Sequence, residues 1–563
     1  MRSSRTIIWV ASACALTILL IGSVATFGQT VDTAWVRIYN GPGNNLDRAG
    51  AIAVDGSGNV YVTGGSHGSG TSTDYATIKY YPNGDTAWER RHNGTGNGED
   101  YAYALAIDDS ENVYVTGSIF EGGSIYGCLT IKYYPDGDTD WVRQYNGPMN
   151  NGAGGLDLAI DNSGNVYVTG LCLNGTAYWD YCTIKYYSNG DSAWVRTLNG
   201  SGDHTDMSRD IAVDGSGNAY VTGISYGSGT DYDYATIKYL PNGDVAPGWP
   251  KIYDNVAASK EDMPSDIVVD NSGNVYVTGQ SYGTGTDADY LTIKYYPNGN
   301  IAWEKRYNNP WNTDDRSSSI ALDGAGNIFV AGISGGHNFT IKYNANGDTV
   351  WTRRYQSETY PDTIDAEPAI VTDECDNLYL TGSIHTSDTS YDYFTIKYRP
   401  NGDTVWAKRY NGPGSSYDVA SAIAVDDSGC YSNVYVTGAS WGSGTHYDYA
   451  TIKYIQISTD VKDETGKRKK PSEFALSQNY PNPFNSTTKI DFTLAKSGFV
   501  NMTIYNLLGR RVRTLVSEQV SSGYKSVLWD GKNEEGEEVT SGIYFYKIQA
   551  GYLTQVKKIV LLK

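Results

Sequence analysis

Asn59-Val60-Tyr61-Val62-Thr63-Gly64 decides the fold, because the chain carries eight versions of it. The closing glycines are Gly64, Gly117, Gly170, Gly223, Gly279, Gly332, Gly382 and Gly438, spaced by 53, 53, 53, 56, 53, 50 and 56 residues. Thr-Ile-Lys-Tyr keeps pace at 77–80, 130–133, 183–186, 236–239, 292–295, 340–343, 395–398 and 451–454, and a tryptophan at 35, 88, 141, 194, 249, 303, 351 and 406. A period of this length means a stacked or radial array.

The first full unit reads as four strands, Ala51–Asp55, Asn59–Thr63, Ala76–Tyr81 and Thr86–Asn93. Val60 and Val62 alternate with Tyr61 and Thr63, the period of a half-buried strand. Asp55-Gly-Ser-Gly-Asn59 and Pro82-Asn-Gly-Asp85 supply turn residues that tolerate positive φ or bond their own backbone. Four antiparallel strands per unit predict an all-β chain, an eight-bladed β-propeller, with seven blades as the alternative. A solenoid fits less well, since its coils run shorter. The array starts with an orphan outer strand around Trp35 and stops at Tyr454 with three strands of its last blade, so the N-terminal strand is expected to close the ring.

Composition bounds the setting. Met1 to about Gly28 carries Arg2 and Arg5, an apolar run from Ile7 to Ile21 and a small-residue exit, which predicts a signal peptide over 1–28. No other stretch is long enough to cross a bilayer, so the mature chain is expected to have no transmembrane helix. The formal charge of −20 becomes about −22 without Arg2 and Arg5, which argues against nucleic acid or anionic lipid as partner. Five cysteines remain, Cys128, Cys172, Cys182, Cys375 and Cys430, an odd number that leaves at least one unpaired within the chain. Cys172–Cys182 is a feasible bridge; Cys375 and Cys430, in equivalent turns of neighbouring blades, are expected to be too far apart.

The propeller is expected over 29–455, a charged linker over 456–473, and a second domain over 474–563 whose short alternating strands predict a small Ig-like β-sandwich. Two resemblances follow from the residues. The units, with Ala-Ile-Ala-Val-Asp-x-Ser-Gly-Asn-Val-Tyr-Val-Thr-Gly and Asp-Tyr-x-Thr-Ile-Lys-Tyr, resemble the bacterial β-propeller repeat family labelled SBBP. The tail resembles the type A C-terminal sorting domain of the type IX secretion system. It carries Asn482, Pro483 and Asn485 in Asn-Tyr-Pro-Asn-Pro-Phe-Asn, then Thr488, Trp529-Asp530-Gly531, and Gly542 and Tyr544 in Ser-Gly-Ile-Tyr. That resemblance implies the type IX translocon as partner, and a secreted or cell-surface location. The repeat resemblance implies a propeller but no defined chemistry.

Because the repeat acts as its own control, a residue present in every unit serves the blade and a unique site breaks the symmetry. Asp55, Asp108, Asp161, Asp214, Asp270, Asp323, Asp373 and Asp426 hold one turn, where an Asp cap or a calcium loop would both place them. The tryptophans read as packing between blades, with a sugar platform as the alternative. A ring of Asp47, Asp100, Asp206, Asp262, Asp315, Asp365 and Asp418 stands four residues before each inner strand, with Ala153 in the third unit. These bind backbone amides, or form a carboxylate-lined channel mouth for a divalent cation. A second partial ring is Asp74, Asp180, Asp233, Asp289, Asp392 and Asp448. Symmetry breaks at the short loop holding His337, at Asp373-Glu374-Cys375-Asp376, and in the fifth unit at Pro247-Gly248-Trp249-Pro250.

No nucleophile elbow, phosphate loop or metal-spaced histidine set is present, so no catalytic residue and no cofactor is assigned, calcium being the one alternative. The expected function is a secreted or surface-bound propeller acting as a binding, adhesion or scaffold module for a glycan or protein. The alternative is a secreted polysaccharide hydrolase or lyase.

Overall fold

The computed structural model describes residues 29–562 except 124, 176–177, 256–259, 356–365, 386–389, 415, 427–428, 459–474, 477–478, 480–481, 483, 485–486, 495, 522 and 552. The expected signal peptide, most of the expected linker, and Asp365, Pro483 and Asn485 lie outside the described residues. Strands β1 (Gln29–Tyr39), β2 (Asp47–Val54), β3 (Val60–His67), β4 (Thr73–Tyr80) and β5 (Thr86–His92) open the chain, and β2 to β5 form one antiparallel sheet in sequence order. The pattern repeats in six further sheets of four strands. An eighth is built from Asp418–Val425, Val434–Trp441 and Tyr447–Ser458, with β1 as its outer strand. Gln29 pairs there with Ser458 and Tyr39 with Tyr449. β2 touches the inner strand of the second sheet, Tyr101–Ile107, and that of the last, so the row of sheets returns on itself.

Each inner strand starts earlier than expected. Asp47 is the first residue of β2, not a loop residue ahead of it. A bulge between Ala49 and Ala51, repeated at the same place in the other sheets, breaks the period-two alternation and hides this half of the strand from a pattern reading. The Pro247–Pro250 insertion precedes an outer strand, Lys251–Tyr253, and therefore falls in the fourth sheet rather than the fifth.

Apolar side chains of facing sheets interlock between the sheets. Trp88 lies 6.1 Å from Tyr61 of its own sheet and 5.9 Å from Tyr133 of the next, while its indole N–H donates to the Pro135 carbonyl at 3.1 Å. Trp35 does the same across the seam, between Tyr435 and Tyr80, donating to Pro82. One arrangement thus satisfies an indole N–H while burying its ring.

Beyond residue 474, Ala475–Leu476, Thr488–Leu494 and Gly523–Trp529 form a three-stranded sheet; Gly498–Asn506, Arg511–Val520, Gly542–Ala550 and Leu553–Leu561 form a four-stranded one. A single core holding Phe484, Ile490, Phe492, Met502, Trp529, Tyr546 and Leu561 joins them. Arg511–Val520 escaped the strand reading because its residues are half-exposed or exposed, with no buried face to set a period.

Candidate functional site

The two faces of the sheet array are built differently. On one, each turn after an inner strand is tied by its aspartate. Asp55 Oδ1 accepts from the amides of Ser57 and Asn59, and Oδ2 from the Asn59 amide group and the Tyr61 hydroxyl, all at 2.7–2.9 Å. The set recurs at Asp108, Asp161, Asp214, Asp270 and Asp373; Asp426 keeps the asparagine and tyrosine bonds, and at Asp323 the hydroxyl is missing because Phe329 replaces the tyrosine. Although burial opposes it, this bonding holds Asp161, Asp214 and Asp270 below the usual carboxylate range. Both oxygens of each of these carboxylates are thus engaged by the turn itself.

Cys375 and Cys430 are joined on this same face as a disulfide, contrary to expectation. The turns lie near the axis, where neighbours converge: Asp376 of the seventh turn already accepts from the Gly324 amide of the sixth at 2.8 Å. The eighth turn is three residues longer, and its short helix Gly429–Tyr431 carries Cys430 across. Cys128, Cys172 and Cys182 are free and buried in the core between the second and third sheets, so the feasible Cys172–Cys182 bridge is not formed.

The opposite face carries the two other aspartate rings. Asp47 accepts from the Gly41 amide at 2.7 Å and the His67 amide at 2.9 Å; Asp100, Asp206 and Asp418 repeat this with equivalent residues. Asp315 takes the amide and side chain of Asn309, and Asp262 the amide of Asn255. These six are 0% exposed, and burial raises their pKa, that of Asp100 to about 6. Instead of lining an open channel mouth, they clamp the loops that precede them. In the second ring, Asp74, Asp289 and Asp392 pair with Arg91, Arg306 and Arg409 at 2.9, 3.2 and 2.8 Å.

Two features break the symmetry, and neither was singled out from sequence. The first lines the centre. The residue after the bulge is Ala51, Ala104, Asp157, Asp210, Asp266, Ser319, Ala369 and Ala422 in successive sheets. Asp210 lies between Asp157 and Asp266, close enough to raise both, and each carboxylate accepts from the inner strand of the next sheet: Ile211 N to Asp157 at 3.1 Å, Ile267 N to Asp210 at 2.7 Å, Ile320 N to Asp266 at 2.8 Å. Enclosure, and then the charge of Asp210, raise Asp157 and Asp266 well above the carboxylate range. Aligning the inner strands on the bulge would have exposed these aspartates.

The second is a cluster of rings on the loop face between the third and fourth sheets. The His204 imidazole stacks on Tyr178 with centroids 4.3 Å apart, lies 4.7 Å from Tyr226, and meets the Tyr232 hydroxyl at 3.3 Å. Tyr178 is 39% exposed. Two residues before the other leading aspartates stand Asn45, Gly98, Lys260, Thr313 and Ser416, so the histidine belongs to this unit alone among those. Further exposed rings share the face: Trp311 under the Arg354 guanidinium at 4.8 Å, and Tyr417 stacked on Tyr391.

In the tail, Asn482 accepts from the Val560 amide at 2.7 Å, and buried Thr488 receives the Asn479 amide group at 2.9 Å. Trp529 is wholly buried against Phe484 and Tyr544, its N–H on the Lys532 carbonyl. Asp530 holds Arg513, Gly531 adopts a φ of +68°, and Tyr544 donates to the Thr540 carbonyl. Gly542 begins the strand Gly542–Ala550. The described motif residues therefore build the sandwich core and its turns.

Residues 478–562 match the family model of the secretion system C-terminal sorting domain, and residues 34–70, 193–229 and 256–285 match the beta-propeller repeat. The chain carries SBBP propeller repeats followed by a type IX sorting domain, and is a secreted or cell-surface protein. No curated protein matches it. Among solved structures it is similar to PorZ, a surface component of the type-IX secretion system of Porphyromonas gingivalis (12% identity, 91% of this chain and 74% of that one, TM-score 0.38). The polysaccharide lyase Uly1 (11%, 77% and 99%, 0.39) and the WD40 domain of SCAP from fission yeast (8%, 76% and 98%, 0.42) are similar to a comparable degree. Scores of this size carry no argument about function. Among the described residues no helix is long and apolar enough to cross a membrane.

Proposed function

We propose that the chain is an eight-bladed propeller, divided at 29–455, 456–473 and 474–563 behind a signal peptide over 1–28, that binds an extracellular glycan or protein through its loop face. The Ig-like tail engages the type IX translocon. The observation that carries the reading is the Tyr178–His204–Tyr226–Tyr232 cluster: stacked, half-buried rings with polar tips are a rigid platform for sugar faces or a partner's side chains. The test is a glycan array with the full chain, followed by Tyr178→Ala and His204→Ala. Loss of the array signal in both variants at unchanged thermal stability supports the platform. Retention in both removes it.

A polysaccharide hydrolase or lyase is the second reading, favoured by the unrepeated carboxyls Asp157, Asp210 and Asp266, of which Asp157 and Asp266 have raised proton affinity. It requires that Asp210→Asn abolish release of reducing or unsaturated ends from a polysaccharide that the native chain cleaves.

A further inference from the structure

Between the fourth and fifth sheets the neutralising arginine is missing. Arg91 sits opposite Ala76 in the first sheet, Arg306 opposite Leu291 in the fifth and Arg409 opposite Phe394 in the seventh. The residue opposite Ala235 in the fourth is Ile252. Two residues further on, where Asn40, Asn93, Asn146, Asn199, Asn308 and Asn411 stand in other units, this unit has Asp254. The junction has lost a cation and gained an anion.

Three carboxylates result. Asp233, Asp254 and Asp262 each bring one oxygen within 4.8 Å of the others, the span that two oxygens reach on opposite sides of a cation at 2.3–2.6 Å. Two of them are buried inside the protein. Asp233 Oδ2 is held by Thr230 and Asp262 Oδ2 by the Asn255 amide; Asp233 Oδ1 is enclosed with no hydrogen bond among the described residues, and the second oxygen of Asp262 has no amide, only the Ser281 hydroxyl beside it. The residues are 3% and 0% exposed. An enclosed carboxylate oxygen without a full set of partners is costly; Oδ1 of Asp74, Asp289 and Asp448 is enclosed in the same way, but among the described residues only here do three carboxylates converge, and a coordinated ion is the remedy that such a cluster invites. The charge of Arg306 reaches Asp262, but its hydrogen bonds go to Ser281, Asp289 and Tyr253. Asp254 is half-buried, which gives an ion a path from solvent.

The eighth sheet is a built-in control. There Ile38 also replaces the arginine, opposite Ala450, yet Asn40 is retained and both oxygens of Asp47 are taken by amides. Asp448 Oδ1 is enclosed and unbonded there too, but only two carboxylates face each other, and among the described residues no third joins them.

We propose that Asp233, Asp254 and Asp262 bind a hard divalent cation, calcium by preference, which pins the loop after the fourth sheet to the inner strand of the fifth. Magnesium fits less well, since three protein carboxylates are more than its usual one or two and suit the larger, flexible calcium shell.

The experiment is calorimetric titration of the full chain with calcium chloride, and separately with magnesium chloride, alongside thermal unfolding with calcium or chelator. Asp254→Asn installs what six other units carry, and Ile252→Arg restores the guanidinium of the first, fifth and seventh. The native chain is expected to take up one more saturable calcium equivalent than either variant, or to bind it at least tenfold tighter, and to melt at higher temperature with calcium. Asp448→Asn, at the control junction, should leave that uptake unchanged. Native-like titration of both Asp254→Asn and Ile252→Arg overturns the proposal, as does absence of saturable calcium uptake by the native chain. Should Ile252→Arg fail to fold, Asp254→Asn alone decides.

Discussion

The turn face and the loop face answer the same repeat in opposite ways. At the turns an aspartate spends both oxygens on its own loop in unit after unit, and the tight bonding keeps it ionised. At the loops, aspartates are buried faster than they are bonded, and their pKa values rise. The uniform face holds the array together; the other is where units diverge, at His204, Ile252 and Asp254. Sequence symmetry therefore separates scaffold from site within one chain.

The largest effect should come from the seam. Deleting residues 29–40 removes the outer strand of the last sheet, and Trp35→Ala alone should cost ~3–5 kcal/mol as a buried large-to-small change. Thermal unfolding with light scattering checks both, aggregation being expected of the deletion because it opens a sheet edge.

Reduction of Cys375–Cys430, which closes a loop of 55 residues, should destabilise by about 2–4 kcal/mol. Equal melting of the native chain and Cys375→Ser would show that the cross-link adds nothing on the turn face.

Asp214→Ala breaks the turn hydrogen bonds and should cost about 1–3 kcal/mol. Because its folded pKa is lowered, its contribution is present at neutral pH and lost as pH falls below about 4. Denaturation at pH 7 and pH 3 should show the cost shrinking in acid.

Asp180 should behave oppositely. Burial, and then the charge of Asp206, raise it to about 6, so its contribution is present in acid and lost as pH rises through about 6. Asp180→Asn should therefore stabilise by on the order of 1–2 kcal/mol at pH 7 and by nearly nothing at pH 4. The same two-pH measurement would break the contrast between the faces if both variants moved the same way.

The four-stranded units and the β1 pairing were legible because each strand announces itself by period and each turn by Asp, Gly and Asn. Asp157, Asp210 and Asp266 were not, because the bulge before them breaks the alternation that marks an inner strand. Cys375–Cys430 was missed because spacing along the chain says nothing of how closely turns converge on an axis. The Asp233 site was hidden in a substitution, Ile252 for arginine, whose meaning appears only when the strand opposite is known.

The pairing of Gln29 with Ser458 joins the first strand to arrive with the last. Until the final sheet exists, β1 has no partner in its own molecule. A second chain at the same stage offers an identical vacancy. Two molecules can therefore exchange β1 and retain every hydrogen bond of the separate forms, so concentrated refolding should yield a fraction of strand-swapped dimers.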